Sequence, residues 1–595
     1  MIEYPYKFDV IVVGGGHAGI EASLISAKMG AKTLLITQNL DTIGQMSCNP
    51  SMGGVGKGQI IKEIDALGGA MGKIADAAAI NYHMLNKSRG PAVRSPRAQC
   101  DKKLYHITAK KIIESQENLY LIQDEAFKIK IDSSKIKGVL SIRNVFYPSR
   151  IVILTTGTFL KGMIHIGEFS ARGGRYNDPP SDGLSDSLKE LGLKIFRLKT
   201  GTPMRLNSRG IKFELCDRQE TDNPSNPFSI FTDFYELNKR NFLPCWITRT
   251  NEKTFDIINS NLKKSALYSG KIKTIGPRYC PSIEDKIYKF PHHKTHHIFL
   301  EPEGFNTNEY YVNGLSTSLS EDVQWEIIKS IDSLKDAQII RPGYAIEYDL
   351  SDPQDLKYSL ESKIVENLFL AGQINGTTGY EEAAAQGLIA GINAVLKLKS
   401  EEPFILKREE SYIGVMIDDL IKRGVDEPYR MFTSRAEFRI ILRQDNADLR
   451  LIKYAFKLKT IESRYEEKFK RYEELYNKFL ENLDYKDFKN YDTYPWKIEN
   501  AKEAAKNEKF YSVYIERYRR DIEKMKKMEN VIIPKNFDYN SINELSIETR
   551  QKLDRIRPRN LAEAYRIPGI TITDIQLIWV LIEKRKYARI NKKSD

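Results

Sequence analysis

The sequence has few cysteines and no long apolar run. Five cysteines are spread over 595 residues, too few for the disulfide framework that holds together small secreted proteins. No apolar run approaches the ~18 residues that a membrane-spanning helix needs, and the mean hydropathy is −0.46. The first apolar strand begins near Phe8, which leaves no room for a signal peptide. We therefore expect a cytoplasmic protein without a membrane segment, in which a thiol in an unusual setting is more often reactive than structural.

Glycine becomes scarce in the last third of the chain. Of the 37 glycines only Gly414, Gly424 and Gly569 lie beyond residue 400, and all the cysteines lie before it. Glycine supplies the tight turns of α/β proteins, whereas long charged stretches without glycine are typical of helices. The composition therefore predicts a turn-rich α/β body followed by a helical last third. The length is that of about three or four domains.

A glycine-rich turn near the N-terminus joins a predicted buried strand to a predicted helix. The apolar run Phe8–Val13 leads directly into Gly14, Gly16 and Gly19, spaced as GxGxxG. In a dinucleotide-binding loop the first glycine makes the turn, the second lets the backbone approach a pyrophosphate, and the third packs the helix against the strand. The N-terminus of the helix then faces the phosphates. This run predicts a nucleotide-binding α/β protein.

The second predicted strand lacks an acidic residue at its end. This strand, residues 32–37, is followed by Gln38, where NAD-binding proteins usually carry Asp or Glu for the ribose. A second glycine loop, Gly372–Gly379, precedes the predicted helix Glu381–Ala394. The N-terminus of such a helix can stabilise the negative charge that a reduced flavin gains. Two loops at the two ends of the body fit the extended cofactor FAD better than NAD.

Basic residues outnumber acidic ones. Lys and Arg number 92 against 79 Asp and Glu, a net charge of +13, which favours a polyanionic partner. Arg430, Arg435, Arg439 and Arg443 stand in one stretch, and the last three are spaced four apart, which predicts that they share one helix face. Arginines in line with aromatic residues between them suit the phosphates and bases of a nucleic acid. A salt-bridged surface helix is the alternative.

Two of the cysteines stand in loops. Cys48 lies in DTIGQMSCNPSMGGVGKG and Cys280 lies in GPRYCPSIEDK, where Arg278 can favour the thiolate of Cys280. Both are candidates for reactive thiols, and a small buried hydrophobic side chain is the alternative for each. The run His292–His297 has an interposed lysine and no partnering cysteine pair, so we predict no metal site.

Many segments of the chain together resemble the MnmG (GidA) family. They run from the first strand to the C-terminal helices and include GGGHAGIEA, DTIGQMSCNPSMGGVGKG, RGPAVRSPRAQCD, GPRYCPSIEDK, AGQINGTTGYEEAAAQG and PYRMFTSRAEFRIILRQDNADLRL. The shorter folate-dependent tRNA uridine methyltransferase TrmFO is similar but lacks a long helical C-terminal domain. Residues 401–595 therefore favour the MnmG family.

The resemblance implies an enzyme that modifies tRNA. Members of this family form homodimers and assemble with the GTPase MnmE into a heterotetramer. They add a carboxymethylaminomethyl or aminomethyl group to C5 of the wobble uridine of certain tRNAs. The implied cofactor is FAD, which NADH reduces, and methylenetetrahydrofolate supplies the one-carbon unit. A TrmFO-like methyltransferase and a flavin-stabilised RNA-binding scaffold are the alternatives.

The resemblance also implies which residues form the sites. The two important cysteines of the family fall on Cys48 and Cys280. Its FAD contacts fall on Gly14, Gly15, Gly16, His17, Ala18, Gly19, Ala126, Ser181 and Gln373. Its NAD segment falls on Gly276, Pro277, Arg278, Tyr279, Cys280, Pro281, Ser282, Ile283, Glu284, Asp285, Lys286, Ile287, Tyr288, Lys289 and Phe290.

The expected fold is an α/β FAD-binding body, Rossmann-like and of the two-dinucleotide-domain type, with an inserted α/β domain and an all-α C-terminal domain. The predicted FAD-binding domain comprises residues 1–204 and 275–400, the second part holding the NAD and substrate segment. The predicted insertion domain is 205–274. A helical tRNA-binding domain is predicted at 401–550 and a small helical module, a candidate partner surface, at 551–595.

Two thiols suit the chemistry of uracil C5, which is a poor nucleophile. A thiolate that adds to C6 makes C5 enolate-like, so that C5 can attack an electrophilic one-carbon unit. The sequence leaves open which cysteine adds to C6 and which moves the proton at C5. Because Arg278 is close to Cys280 in the chain, we expect Cys280 to be the nucleophile and Cys48 the acid/base.

Overall fold

A computed structural model of the chain describes residues 1–274, 276, 281–488, 491–534, 536–567 and 569–591, with side chains up to residue 584. The chain divides into two units, Met1–Lys506 and Asn507–Asp595.

The strands, in chain order, are β1 (Ile2–Glu3), β2 (Phe8–Val13), β3 (Thr33–Thr37), β4 (Ser51–Gly53), β5 (Ala79–Leu85), β6 (Ser95–Cys100), β7 (Leu119–Gln123), β8 (Ala126–Asp132), β9 (Lys135–Ser141), β10 (Val145–Leu154), β11 (Met163–Ile166), β12 (Phe169–Arg172), β13 (Ile195–Asn207), β14 (Asp217–Gln219), β15 (Cys245–Arg249), β16 (His297–Pro302), β17 (Glu309–Ser316), β18 (Ile339–Arg341), β19 (Tyr344–Ser351) and β20 (Leu368–Leu370). The helices are α1 (His17–Lys28), α2 (Lys57–Ala66), α3 (Met71–Ala78), α4 (Lys102–Glu114), α5 (Gly183–Glu190), α6 (Phe234–Asn238), α7 (Glu252–Ser260), α8 (Ile283–Lys289), α9 (Glu321–Ser330), α10 (Tyr380–Leu398), α11 (Tyr412–Arg423), α12 (Ala447–Leu458), α13 (Glu466–Glu481), α14 (Ile498–Phe510), α15 (Ser512–Glu529), α16 (Ile547–Ile556), α17 (Leu561–Tyr565) and α18 (Ile572–Asn591).

An eight-stranded sheet carries the predicted dinucleotide loop. Its parallel part has the order β7-β3-β2-β10, and β20 also lies parallel to β10. The long strand β10 also pairs with β9, and β9 pairs with β8, in an antiparallel extension. The carboxyl ends of parallel strands meet at one edge of a sheet, where ligands of open α/β folds bind. The loops after β2, β3, β7, β10 and β20 therefore come together at that edge.

A nine-stranded antiparallel sheet forms the second layer of the first unit, in the order β12-β11-β19-β13-β17-β16-β15-β14, with β18 beside β13. The first part of β13 pairs with β19 and the last part pairs with β17. Helices α7, α8 and α9 cover this sheet through buried side chains such as Ile258, Ile283 and Ile327. A small third sheet, β4-β6-β5, begins just after Cys48.

Helices α1 and α10 lie in close backbone contact. A Cβ atom on Gly387 would lie 2.1 Å from the carbonyl oxygen of Ala18, and one on Gly391 would lie 2.4 Å from the side chain of Ile25. Since no side chain larger than hydrogen fits at these two positions without a shift, the spacing Gly-x-x-x-Gly fixes how closely the helices approach. The helix pair therefore connects the loop before α1 to the loop before α10.

The second unit has an apolar core of its own. Phe537, Leu553, Leu561 and Ile578 are among its fully buried side chains. None of the described helices of the protein combines the length and the apolar composition that a membrane crossing requires.

The structure confirms the predicted fold class. The strand–loop–helix–strand unit from residue 8 to 37 and the second strand–loop–helix unit from 368 to 398 both form where the sequence places them. Beyond residue 401 the described elements are helices and turns. The predicted boundary after residue 204 falls within β13, which ends at Asn207, and the individual domain limits remain predictions.

A buried carboxylate of α1 binds the start of α3. Glu21 is 1% exposed, and its Oε1 accepts hydrogen bonds from the backbone N–H of Ala70 at 2.9 Å and of Met71 at 2.6 Å. The first N–H groups of a helix have no partner within the helix, so a carboxylate stabilises them. Burial nonetheless raises the pKa of Glu21 to about 7.

We expect Glu21→Gln to remove one part of the pH dependence of stability. Between pH 4.5 and 7 the folded protein keeps a proton on Glu21 that the unfolded chain has released. The contribution of Glu21 to the free energy of unfolding therefore falls as the pH rises through that range. From pH 4.5 to pH 8 the free energy of unfolding of the variant should rise by about 2–3 kcal/mol relative to that of the parent protein. Denaturant unfolding at both pH values measures this difference. The exposed Glu117→Gln is the matched control, and an equal change in both variants would contradict the assignment.

Candidate active site

A cavity of about 530 Å³ lies at the carboxyl ends of the parallel strands of the first unit. Its wall combines the ends of β2, β3, β7 and β10 with the loop before α10 and with residues of β13 and β19. Cys48 is also part of this wall. The cavity therefore joins both predicted glycine loops to one of the predicted cysteines.

The glycine loop after β2 has the geometry of a phosphate-binding turn. Gly14 has a φ of +108°, and a Cβ on Gly19 would lie 1.8 Å from the carbonyl oxygen of Gly14. Gly16 has open space around its Cβ position and precedes the first residue of α1. Of the predicted contacts, Gly14, Gly15, Gly16, His17 and Ala18 line the cavity, whereas Gly19 packs beneath the loop. The N-terminus of α1 therefore faces the space where a pyrophosphate is stabilised by the helix dipole.

The side of the cavity next to β3 contains an acidic residue that the sequence analysis missed. Gln38, which follows β3, lines the cavity, and Glu125, which follows β7, lines it too. Because β7 lies parallel to β3 in the sheet, its end reaches the same edge. Burial raises the pKa of Glu125. The predicted contacts Ala126 and Ser181 also line this side, with the Ser181 hydroxyl donating to the carbonyl oxygen of Ala126 at 3.4 Å.

The far end of the cavity is formed by the loop before α10. The predicted contact Gln373 lines it, together with Tyr380, the first residue of α10. The ring of Tyr380 stacks on the ring of His17 with centroids 4.3 Å apart, which brings the two helix N-termini to one cavity.

Some buried polar atoms of the wall lack a hydrogen-bond partner among the described residues. Nε2 of His17 and the Thr156 hydroxyl are buried and make no hydrogen bond among the described residues. Burial lowers the pKa of His17 to about 3, so its ring is neutral at physiological pH. A ligand with both donors and acceptors can satisfy these atoms. With a helix N-terminus at each end, the residues fit the extended FAD molecule that the sequence predicts.

Cys48 lies at the wall near the loop before α10. Its sulfur is 3.1 Å from the hydroxyl of Tyr311 and 3.6 Å from the carbonyl oxygen of Gly201. Its backbone N–H donates to the hydroxyl of Tyr380 at 2.9 Å. The side chain is half-buried, so the thiol is held on several sides while it borders the cavity.

A buried ion cluster fixes the loop that carries Cys48. Arg205 donates from Nη2 to the carbonyl oxygens of Ser47 and Cys48, both at 3.1 Å. The Glu303 carboxylate accepts from both Arg205 and Lys102. Burial favours the neutral form of Glu303, but the charges of Lys102 and Arg205 outweigh it and lower the pKa of this carboxyl group. The pKa of Lys102 is lowered to about 8, first by burial and then by the charge of Arg205. The cluster therefore brings positive charge close to Cys48.

The other described cysteines lie away from this cavity. Burial raises the pKa of Cys100, of Cys216 and, to about 12, of Cys245. None of the three lines the cavity. Cys280 lies outside the described residues, as do Pro277, Arg278 and Tyr279.

The described part of the predicted NAD segment does not line this cavity. A Cβ on Gly276 would lie 2.4 Å from the side chain of Lys199, two residues before Gly201 in β13. Residues 283–289 form α8, whose N-terminus is capped by the hydroxyl of Ser282. The segment therefore packs against the nine-stranded sheet, and its role remains a prediction.

The structure corrects the predicted arginine helix. Only Thr433–Arg435 form a short 3-10 turn, and the next α-helix begins at Ala447, so the spacing of four residues does not place these arginines on one face. Arg443 is fully buried, with Nη1 donating to the carbonyl oxygen of Ile440 and Nε to Asp445. It supports the fold and presents no surface to a nucleic acid.

The remaining arginines of the stretch are placed differently. Arg430 lines the cavity and donates from Nε to the hydroxyl of Thr378 at 3.3 Å. Arg435 lies over the ring of Tyr429, with its guanidinium carbon 4.2 Å from the ring centroid. Arg439 is exposed. Arg430 therefore places positive charge in the cavity wall, and Arg439 places it at the surface.

Comparisons with known proteins agree with this arrangement. A sequence model of the family described as glucose inhibited division protein A matches residues 9–402, and one described as the tRNA modifying enzyme MnmG/GidA C-terminal helical bundle matches residues 521–595. Similar proteins include two described as tRNA uridine 5-carboxymethylaminomethyl modification enzyme MnmG. The one from Endomicrobium trichonymphae is 48% identical over 591 residues and 99% of both chains. The one from Thermodesulfovibrio yellowstonii is 49% identical over 97% of this chain and 98% of its own.

Solved structures of Aquifex aeolicus GidA are also similar. The form I and form II crystals each give a TM-score of 0.84, with 47% and 45% identity, over 97% of this chain and 100% and 98% of theirs. Both the sequence and the fold of this chain are thus matched over nearly its whole length. The chain belongs to the GidA (glucose inhibited division protein A) family.

Proposed function

We propose that the protein is an FAD-dependent enzyme that adds a carboxymethylaminomethyl or aminomethyl group to C5 of the wobble uridine of tRNAs. The position of Cys48 carries the proposal, because its thiol borders the cavity into which both helix N-termini point. Relatives described as enzymes of this modification, similar over nearly the whole chain, support the choice of reaction.

The residues around the cavity suit the binding of FAD. The N-terminus of α1 stabilises the pyrophosphate, and the N-terminus of α10 stabilises negative charge at the other end. His17, Thr156 and Glu125 offer donors and acceptors between them. When bound, FAD would supply a flavin that NADH can reduce by two electrons.

Two thiols activate the uracil ring in this proposal. The Cys280 thiolate forms a bond to C6, and the electrons of the C5–C6 double bond move to C5 and the carbonyl oxygen at C4. C5 then forms a bond to the methylene carbon of an iminium that the one-carbon unit makes with glycine or ammonium, and the electron pair of the carbon–nitrogen double bond moves to nitrogen. Cys48 removes the proton from C5, the bond between sulfur and C6 breaks, and the double bond returns. The thiolate of Cys280 is regenerated, and its charge balances the proton now on Cys48.

The partners in this proposal follow the family resemblance. The tRNA contacts Arg430, Arg435 and Arg439, of which Arg430 reaches the cavity wall. NADH binds along the segment 276–290, and methylenetetrahydrofolate supplies the carbon. The protein acts in the cytoplasm as a homodimer that joins the GTPase MnmE in a heterotetramer.

Nucleoside analysis of tRNA tests the proposed reaction. Deleting the gene should remove the C5 wobble modification from digested tRNA, as measured by mass spectrometry, and the intact gene should restore it. A gene encoding the Cys216→Ser variant is the matched control and should also restore it. Loss of T-loop ribothymidine in place of the wobble modification would identify a TrmFO-like methyltransferase instead.

The two cysteine roles can be separated with tRNA that carries 5-fluorouridine at the wobble position. Fluorine at C5 cannot leave as a proton does, so a thiol that has added to C6 stays attached. We expect a covalent complex on denaturing gels with Cys48→Ser but none with Cys280→Ser. The opposite result would exchange the two roles, and a complex with both variants would exclude thiol addition at C6.

A further inference from the structure

Tyr311 is the side chain that holds the sulfur of Cys48. Its hydroxyl is 3.1 Å from Sγ, and either atom can donate the hydrogen bond. The tyrosine is 4% exposed and stands in β17 directly opposite Arg205 of β13. The contact joins residues 263 positions apart in the chain, so it depends on the pairing of these two strands.

Positive charge surrounds this contact. The guanidinium carbon of Arg205 lies 4.9 Å from the centroid of the Tyr311 ring, and Nζ of Lys102 lies 5.9 Å from it. Nearby cations favour negative charge on a sulfur. Within the described part of the chain, several charged or titratable groups face Cys48, and Glu303 is paired to both cations among them. These groups are Lys102 of α4, Arg205 of β13, Tyr311 of β17, Tyr344 of β19 and Tyr380 of α10.

A tyrosine hydroxyl can both donate and accept. It can therefore donate to a thiolate and, after a rotation of its O–H bond, accept from a thiol. The backbone around Cys48 is fixed independently, because Arg205 binds its carbonyl oxygen and Tyr380 binds its N–H. The carbonyl oxygen of Gly201, 3.6 Å from the sulfur, can only accept from the thiol, whereas the hydroxyl of Tyr311 at 3.1 Å can also donate to the thiolate.

We propose that Tyr311 is a positioning residue that keeps the sulfur of Cys48 directed at the substrate in both of its protonation states. The reaction step rests on the function proposed above. A proton leaves uracil C5 and binds Sγ, the hydrogen bond between sulfur and Tyr311 reverses its direction, and the O–H bond of Tyr311 is not broken. Neither residue is oxidised or reduced in this step. The proton leaves Sγ for solvent when the product departs.

The pH profile of Cys48 alkylation tests the proposal without any turnover. The FAD-loaded, full-length protein is treated with iodoacetamide at a series of pH values, and mass spectrometry follows the peptide that contains Cys48. Without a donor to the thiolate, Tyr311→Phe should move the midpoint of the profile up by about one pH unit, so that alkylation below the midpoint slows about tenfold. Replacing Tyr311 with 4-aminophenylalanine, which keeps the shape and offers a weaker donor that stays neutral in this pH range, should move the midpoint up by less than Tyr311→Phe does.

Tyr310→Phe is the matched control. Tyr310 is the neighbouring residue of β17 and packs against Phe213, with ring centroids 5.4 Å apart. It should leave the profile of Cys48 unchanged. An unchanged midpoint in both Tyr311 variants would overturn the inference, even if the enzyme modifies tRNA. A shifted midpoint in a protein that modifies no tRNA would instead leave the contact established and the proposed function wrong.

Discussion

We expect Cys48→Ser to lower the kcat of wobble-uridine modification by about 1,000-fold and to leave FAD bound. A positioned acid/base group contributes roughly 10²- to 10⁴-fold to a proton transfer, and a serine hydroxyl holds its proton too firmly to replace a thiol. The backbone of residue 48 is fixed by Arg205 and Tyr380, so the substitution should leave the loop in place. The KM for tRNA should change little, because the sulfur itself supplies a small part of the binding surface.

Single-turnover assays on tRNA, with flavin absorbance recorded on the same sample, measure this effect. Cys216→Ser is the matched control, because Cys216 does not line the cavity, and it should retain full activity. If Cys48→Ser kept more than a tenth of the parent rate, Cys48 would not move the proton at C5. A variant that had lost its flavin would point to a structural role instead.

Two alanine substitutions in the same glycine loop should have opposite consequences. In Gly19→Ala the new methyl group would lie 1.8 Å from the carbonyl oxygen of Gly14 and 2.9 Å from the hydroxyl of Thr155. Such an overlap forces the turn and helix α1 apart, at a cost of about 3 kcal/mol or more in the free energy of unfolding. We expect a lower melting temperature and no bound flavin.

Gly16→Ala is the informative partner variant. Nothing lies within 4 Å of its Cβ position, and its φ of −79° suits alanine. The apoprotein should therefore melt as the parent does, while the methyl group occupies the path of the pyrophosphate and weakens FAD about 10- to 100-fold. Calorimetry of the apoproteins and flavin titration separate the two effects. Equal FAD affinity in Gly16→Ala and the parent would place the pyrophosphate elsewhere.

The parts of the site that the sequence predicts are those carried by short segments. The run from Phe8 to Gly19 alone specifies a buried strand, a turn and a helix start, because the strand is apolar and the glycine spacing is local. The loop before α10 is predictable for the same reason. Cys48 is distinguished by the Gly, Pro and Asn residues of its own segment.

The parts that the sequence does not predict depend on which strands become neighbours. Tyr311 and Arg205 reach Cys48 because β13 pairs with β17. The sequence of neither strand predicts that pairing. Glu125 reaches the cavity because β7 lies beside β3. Arg443 shows where the prediction from spacing fails. A spacing of four residues suits a helix, but the segment forms turns, and Arg443 is buried with Nη2 donating to the distant carbonyl oxygen of Ala504.

The close crossing of α1 and α10 has a consequence for how tightly a cofactor can be held. Since Gly387 and Gly391 let the two helix backbones touch, the separation between their N-termini is set when the chain folds. FAD then binds between two helix N-termini whose separation is already set before the cofactor arrives. Preorganised sites lose little conformational entropy on binding, so the affinity should depend mainly on the contacts themselves, with little cost from rearranging the protein.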